Sequence, residues 1–289
     1  MAIIDTDILS CPDRLCGISP PHLLWEEGKT IVIKFLNGSN ELHERVIQYG
    51  SVWFQGPKIN LKLEFVDWNN PKKSDVRILF RNDGKCSSSV GKAALRTRPD
   101  EPTMLLGISG RFSLAWVRWS IQHEFGHMLG LYHEHSSPNC TIEWISKESV
   151  REFYANEYKW HEEQTQREVL DRYDFKEVWA SAYDHQSVMH YPVKPFLTAN
   201  SIVEIGYNEI SKMDWDWLAE LYPVHDSDDD DDILGSVGDV LSSPNLSAES
   251  SPSRMGLVSH SKTLQETSQD WPFWLFLIWL LFQVAFWIL

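Results

Sequence analysis

The run His123-Glu124-Phe125-Gly126-His127-Met128-Leu129-Gly130-Leu131-Tyr132-His133-Glu134 decides how this chain is read. On an α-helix, residues four apart share a face, so His123 and His127 aim two imidazoles at one point while Glu124 points about 100° round the helix. Gly130, three residues after His127, is the residue type that most cheaply takes the left-handed conformation ending a helix, and a turn there brings His133 back toward the pair. Three imidazoles leave one position of a tetrahedral zinc open. Catalytic sites keep that opening, whereas structural sites are usually closed by four protein ligands. Zinc lowers the pKa of bound water to about 7, and Glu124 is spaced to take that water's proton as it attacks a carbonyl. The run therefore predicts a zinc hydrolase with one ion, the ligands His123, His127 and His133, and Glu124 as general base.

A bare H-E-x-x-H arises by chance on polar helices, but Gly130 and His133 add two constraints. Downstream, Ser187-Val188-Met189-His190-Tyr191-Pro192 places a methionine in a turn-like stretch, the element that lies beneath the zinc in metzincins. With Glu134 directly after the third histidine and Tyr191 two residues after Met189, the chain resembles the astacin branch of the metzincins. The segment Tyr183 to Tyr191 is similar to the astacin Met-turn over its whole length. Cys86-Ser87-Ser88-Ser89-Val90-Gly91 and Thr103-Met104-Leu105-Leu106-Gly107 look like the edge strand and the strand leading into the zinc helix. Serralysins share the Met-x-Tyr element but usually carry proline after the third histidine, so they are the second choice. The resemblance covers residues 24–223. It implies a zinc endopeptidase acting on proteins or peptides, with Tyr191 as a fifth zinc ligand that swings out to stabilise the tetrahedral intermediate and Met189 as the structural Met-turn residue. A catalytically inactive metzincin fold that only binds is the alternative, and every catalytic position being intact argues against it.

The chain departs from the family in two places. Astacins pair a cysteine near the Cys86 position with one shortly before the zinc helix, and residues 107–122 contain none, so that disulfide is expected to be missing. In mature astacins the glutamate at the Glu134 position contacts a newly freed N-terminus, but no propeptide with an aspartate switch is recognisable here. Arg14-Leu15-Cys16-Gly17 bears a faint likeness, over four residues only, to the matrixin cysteine switch and is read as carrying an ordinary surface cysteine. The four cysteines, 11, 16, 86 and 140, allow three pairings.

The expected fold class is α+β: a twisted, mainly parallel sheet with an antiparallel edge strand, packed on the zinc helix, above a mostly irregular and helical lower subdomain. Thr30 to Phe35 and Leu61 to Phe65 alternate apolar and polar residues as half-buried strands do, and Val76 to Phe80 supplies another strand. Asn40 to Phe54 sets Leu42, Val46, Tyr49, Gly50 and Trp53 near one helical face, and Ser113 to Leu129 forms the zinc helix. The upper subdomain is expected over residues 24–132 and the lower over 133–223, after an N-terminal segment, residues 1–23. In the lower part Ser146 is read as an N-cap and Ser211-Lys212-Met213-Asp214 as a capping-box start for a helix ending near Tyr222. His135, His161, His185 and His190 are read as surface or packing residues, with His185 and His190 able to line the cleft. Peptides lie extended along a sheet edge in metzincins, and Lys85 to Gly91 would be that edge.

After Pro223 the composition changes. Asp226 and Asp228 to Asp232 open an acidic, Ser-rich stretch to residue 270 whose ten acids and two bases account for eight of the fifteen net negative charges. It reads as a solvated linker rather than a calcium loop, because no glycine turn or terminal glutamate completes one. The same charge argues against nucleic acid as a partner. Residues 271–289 carry no charge and as a helix would reach about 28 Å, close to the roughly 30 Å apolar core of a bilayer. They read as a tail anchor or as a cleaved lipid-anchor signal with Ser259 or Ser261 at the cut. The first eleven residues contain no basic or apolar run resembling a signal peptide. The sequons at Asn37, Asn139 and Asn245 and the resemblance favour the secretory side instead. Oligomeric state is not legible.

Overall fold

The computed structural model describes residues 17–200 and 207–225. Cys11, Cys16, Asn245, residues 226–270 of the expected linker and the apolar tail 271–289 lie outside these. Among the described residues, no helix is long and apolar enough to cross a membrane.

A five-stranded sheet forms the upper half. Its strands are β2 (Lys29–Phe35), β3 (Leu61–Val66), β4 (Val76–Phe80), β5 (Ser87–Ser88) and β6 (Met104–Leu106), in the order β3-β2-β4-β6-β5. The first four in that order run parallel, with Ile33 opposite Val76 and Ile78 opposite Met104, and β5 closes the edge antiparallel to β6. The alternation expected of Thr30 to Phe35 holds only in part, since Ile31, Val32 and Ile33 are all buried. A central parallel strand is covered on both faces, so burial follows position in the sheet and not the two-residue period. The helix expected over Asn40 to Phe54 also divides: α1 (Asn40–Gly50) is followed by a tighter turn, Ser51–Phe54, that carries Trp53 fully buried into the core, where its indole N–H donates to Gln122 O at 2.9 Å.

The zinc helix is α2 (Leu114–Met128), capped by Ser113, whose hydroxyl accepts the Trp116 N–H. Val117, Ile121, Phe125 and Met128 of α2 share one core with Ile31, Ile33, Ile78, Met104 and Leu106 of the sheet and Val46 of α1. Its C-terminus closes as a Schellman motif: Leu131 N–H donates to Gly126 O, Gly130 N–H donates to His127 O, and Gly130 takes φ +104°. The remaining carbonyls there are also met. Trp25 Nε1 donates to Met128 O at 2.8 Å and the Tyr222 hydroxyl to Leu129 O at 2.7 Å. The helix end that must deliver His133 is thus fixed from both ends of the domain.

Below lie α3 (Lys147–Tyr158), the short α4 (Glu162–Thr165) and α5 (Lys212–Leu221). Ser146 caps α3 and Ser211 with Asp214 forms a capping box on α5, both as expected. Val150, Tyr154, Val169, Leu170 and Leu197 make a second, smaller core. Ile18–Ser19 (β1) pairs with Trp179–Ala180 (β7), and Ile18, which the sequence reading left in the N-terminal segment, is fully buried. Cys86 and Cys140 are both free among the described residues.

Candidate metal centre

Three histidines converge where α2 turns into the lower subdomain. Each of His123, His127 and His133 offers a ring nitrogen within 4.8 Å of the others, and His127 Nε2 stands 3.0 Å from His133 Nε2. Nitrogens bound to one tetrahedral zinc at about 2.1 Å would be about 3.4 Å apart, so the observed spacing brackets what zinc requires. The tautomers agree. His123 Nδ1 meets Val188 O at 2.9 Å and His127 Nδ1 meets Leu131 O at 2.8 Å. A carbonyl only accepts, so both protons sit on Nδ1 and both Nε2 lone pairs are left for a metal. Burial pushes His123 down to about 3 and His127 down to about 4; burial, then the neighbouring His127 and His123, hold His133 well below the ordinary imidazole value. Neutral imidazoles are what a metal binds.

Glu124 is 5 % exposed, and its Oε2 has no hydrogen-bond partner. Burial raises its carboxyl from the ordinary value to about 8. Met189 lies beneath the ligand-bearing turn. A methyl group on Gly126 would come within 2.2 Å of its Sδ, so this helix position must be bare for the Met-turn to approach. The Met189 carbonyl accepts the Glu134 N–H at 3.0 Å, and Glu134 Oε1 accepts the Asp184 N–H at 3.0 Å, which stitches the third-histidine segment to the Met-turn.

The Tyr191 ring sits 4.2 Å from that of His133 and 4.7 Å from that of His135. Burial, with Glu124 nearby, pushes its hydroxyl well up, so it remains a donor. His135 and His190 are packing residues, as read. His135 Nε2 donates to Glu168 O, His190 Nδ1 donates to Tyr191 O, and the Tyr183 hydroxyl donates to His190 Nε2. Being fully buried, His190 does not line the cleft; His161 and His185 are exposed.

Sequence reasoning missed the two carbonyls that set the ligand tautomers, and it missed Trp119, whose ring lies 4.9 Å from that of His123. Trp119 was findable, being one helical turn before His123 on the same face. The carbonyls carry no side-chain signature.

A helix-borne histidine pair, a third histidine delivered by a Schellman turn, and a methionine packed beneath define a metzincin-type zinc centre. A family model described as Astacin, a peptidase family, matches residues 20–215, well over half of the chain. The zinc metalloproteinase dpy-31 of Caenorhabditis elegans is 26% identical over 189 residues, covering 63% of this chain and 27% of that protein. The chain thus spans about a quarter of the length of that relative. Among solved structures, one of myroilysin is 29% identical with a TM-score of 0.66, covering 72% of this chain and all of that one. A second myroilysin structure is 28% identical with a TM-score of 0.52, covering 78% and 98%. The chain belongs to the astacin family. Its cofactor is zinc, and the three grouped histidines are the residues fit to hold it.

Proposed function

We propose that the chain is a zinc endopeptidase that hydrolyses peptide bonds in proteins, with His123, His127 and His133 as the ligands. The observation that carries this reading is a buried carboxylate oxygen without a partner, Glu124 Oε2, on the residue next to a histidine whose tautomer is set for a metal. When bound, zinc would polarise the scissile carbonyl and acidify the attacking water. Glu124 takes the proton that the water loses and passes it to the departing amine nitrogen. The Tyr191 hydroxyl, held protonated by burial, donates to the oxyanion of the tetrahedral intermediate. The outer edge of β5 pairs with the substrate backbone, a mode that reads chain direction and not side chains.

The purified 289-residue chain should cleave a denatured protein, lose that activity to a chelator and regain it with added zinc. Cleavage that survives complete metal removal would contradict the reading.

The attachment of the chain to a membrane through residues 271–289 belongs to the same proposal, supported by the uncharged 19-residue tail; of the expected domain limits, 24–223, the end is kept and the start moves back to take in Ile18–Ser19, which pair with Trp179–Ala180. In cells, the chain should stay with the membrane pellet through an alkaline wash and leave it when residues 271–289 are deleted. Release of both forms would remove the membrane from the account. The sequons at Asn37 and Asn139, as sequence signals, support an enzyme facing the secretory lumen or the outside.

A further inference from the structure

Asp214 does more than its helix requires. It is 2 % exposed in the first turn of α5, where its N–H donates to Ser211 Oγ and its Oδ2 accepts the Ser211 N–H, both at 2.9 Å. Those two bonds complete the capping box. The same carboxylate also accepts the Val188 N–H at 2.9 Å and, on Oδ1, the Ser187 hydroxyl at 2.6 Å. Ser187 Oγ accepts the Met189 N–H at 2.9 Å. That N–H belongs to the same peptide group as the Val188 carbonyl, and the Val188 carbonyl accepts the His123 Nδ1–H at 2.9 Å.

The bonds form one unbroken series from His123 Nδ1–H through the Val188–Met189 peptide and the Ser187 hydroxyl to the Asp214 carboxylate. Every donor points toward Asp214. Hydrogen bonds aligned head to tail polarise one another, and a negative charge at the accepting end strengthens each bond before it. A carboxylate behind a metal-bound histidine ordinarily touches the imidazole directly, where it fixes the ring and raises the basicity of the ligating nitrogen. Here the nearest partner of His123 Nδ1 is a neutral carbonyl.

We propose that Asp214 is the positioning residue for His123, acting through the Met-turn as a carboxylate–histidine pair stretched across a hydroxyl and a peptide. This rests on reading His123 as a zinc ligand. The Met-turn then carries the influence of α5 to the metal in addition to packing beneath it. The final helix, whose Asp214 lies 91 residues from His123 in sequence, sets how firmly that ligand is aimed.

The test is the zinc dissociation constant of the metal-free 289-residue chain, measured by competition with a chromophoric chelator, alongside the melting temperature of each metal-free variant. Ser187→Ala breaks the series in the middle and leaves the capping box intact. Asp214→Asn removes the charge at nearly constant volume. Ser211→Ala removes a helix cap and leaves the series intact. Ser187→Ala and Asp214→Asn should each weaken zinc binding about 10- to 100-fold. The double variant should be no weaker than the worse single one, because both interrupt one path. Ser211→Ala should lower the melting temperature and keep zinc affinity within about twofold. Parental affinity in Ser187→Ala and Asp214→Asn would overturn the proposal, as would equal weakening in all three. If His123→Ala bound zinc as tightly as the parent, the ligand reading itself would fail, and that outcome is distinct from the other two.

Discussion

At the scale of single residues, Cys86 shows how burial treats a titratable group. It immediately precedes β5 as a free thiol, and burial, reinforced by the charge of Glu124, pushes it up to about 12 from an ordinary value near 9. Thiolate is the reacting form, so that rise leaves roughly a thousandth of the usual fraction at about pH 8. Alkylation of Cys86 in the folded protein, followed peptide by peptide by mass spectrometry, should be at least about a hundredfold slower than in the denatured chain. Equal rates would show the thiol to be solvated. The folded state keeps this proton between about pH 9 and 12 while the unfolded chain releases it. Stability is therefore lost as pH rises through that window. Residue-scale features that depend on one side chain and its neighbours in sequence were legible: Gly130 as the left-handed helix end, Ser146 and Ser211 as caps. Gly126 was not read as a packing position, because the sulfur that needs its bare face comes from Met189, 63 residues on.

At the scale of elements, what was legible follows from what is local. The zinc helix, the edge strand and the capping box on α5 were placed because their signals lie close together in sequence. The two-residue period misjudged β2, where Val32 is buried along with Ile31 and Ile33, since a strand between parallel neighbours has no solvent face. The end of α1 at Gly50 was missed, and the Trp53 that follows it bonds the distant Gln122 carbonyl, a partner with no local mark. The pairing of Ile18–Ser19 with Trp179–Ala180 joins opposite ends of the domain and has no local mark. The same limit hid the link from Asp214 to His123: the capping box was visible, but the second set of donors on its carboxylate comes from another segment.

At the scale of the molecule, two halves meet at one group of side chains. The sheet and α2 present His123, Glu124 and His127; the lower part returns His133 and supplies Met189 and Tyr191. The α2 terminus between them is held by Trp25 from the start of the domain and by Tyr222 from its end. The metal centre was readable early because one short run holds all three histidines. The support was not, because backbone carbonyls and buried carboxylates provide it, and their partners are chosen by the fold. The central claim is that Glu124 moves the proton and the histidines hold the metal, two jobs that a single variant separates. The measurement is zinc content per chain, by elemental analysis, together with cleavage of a denatured protein, in Glu124→Ala beside the parent. The account predicts one zinc retained in both and a rate lower by about 10²- to 10⁴-fold in the variant; cleavage at the parental rate with zinc in place would contradict it.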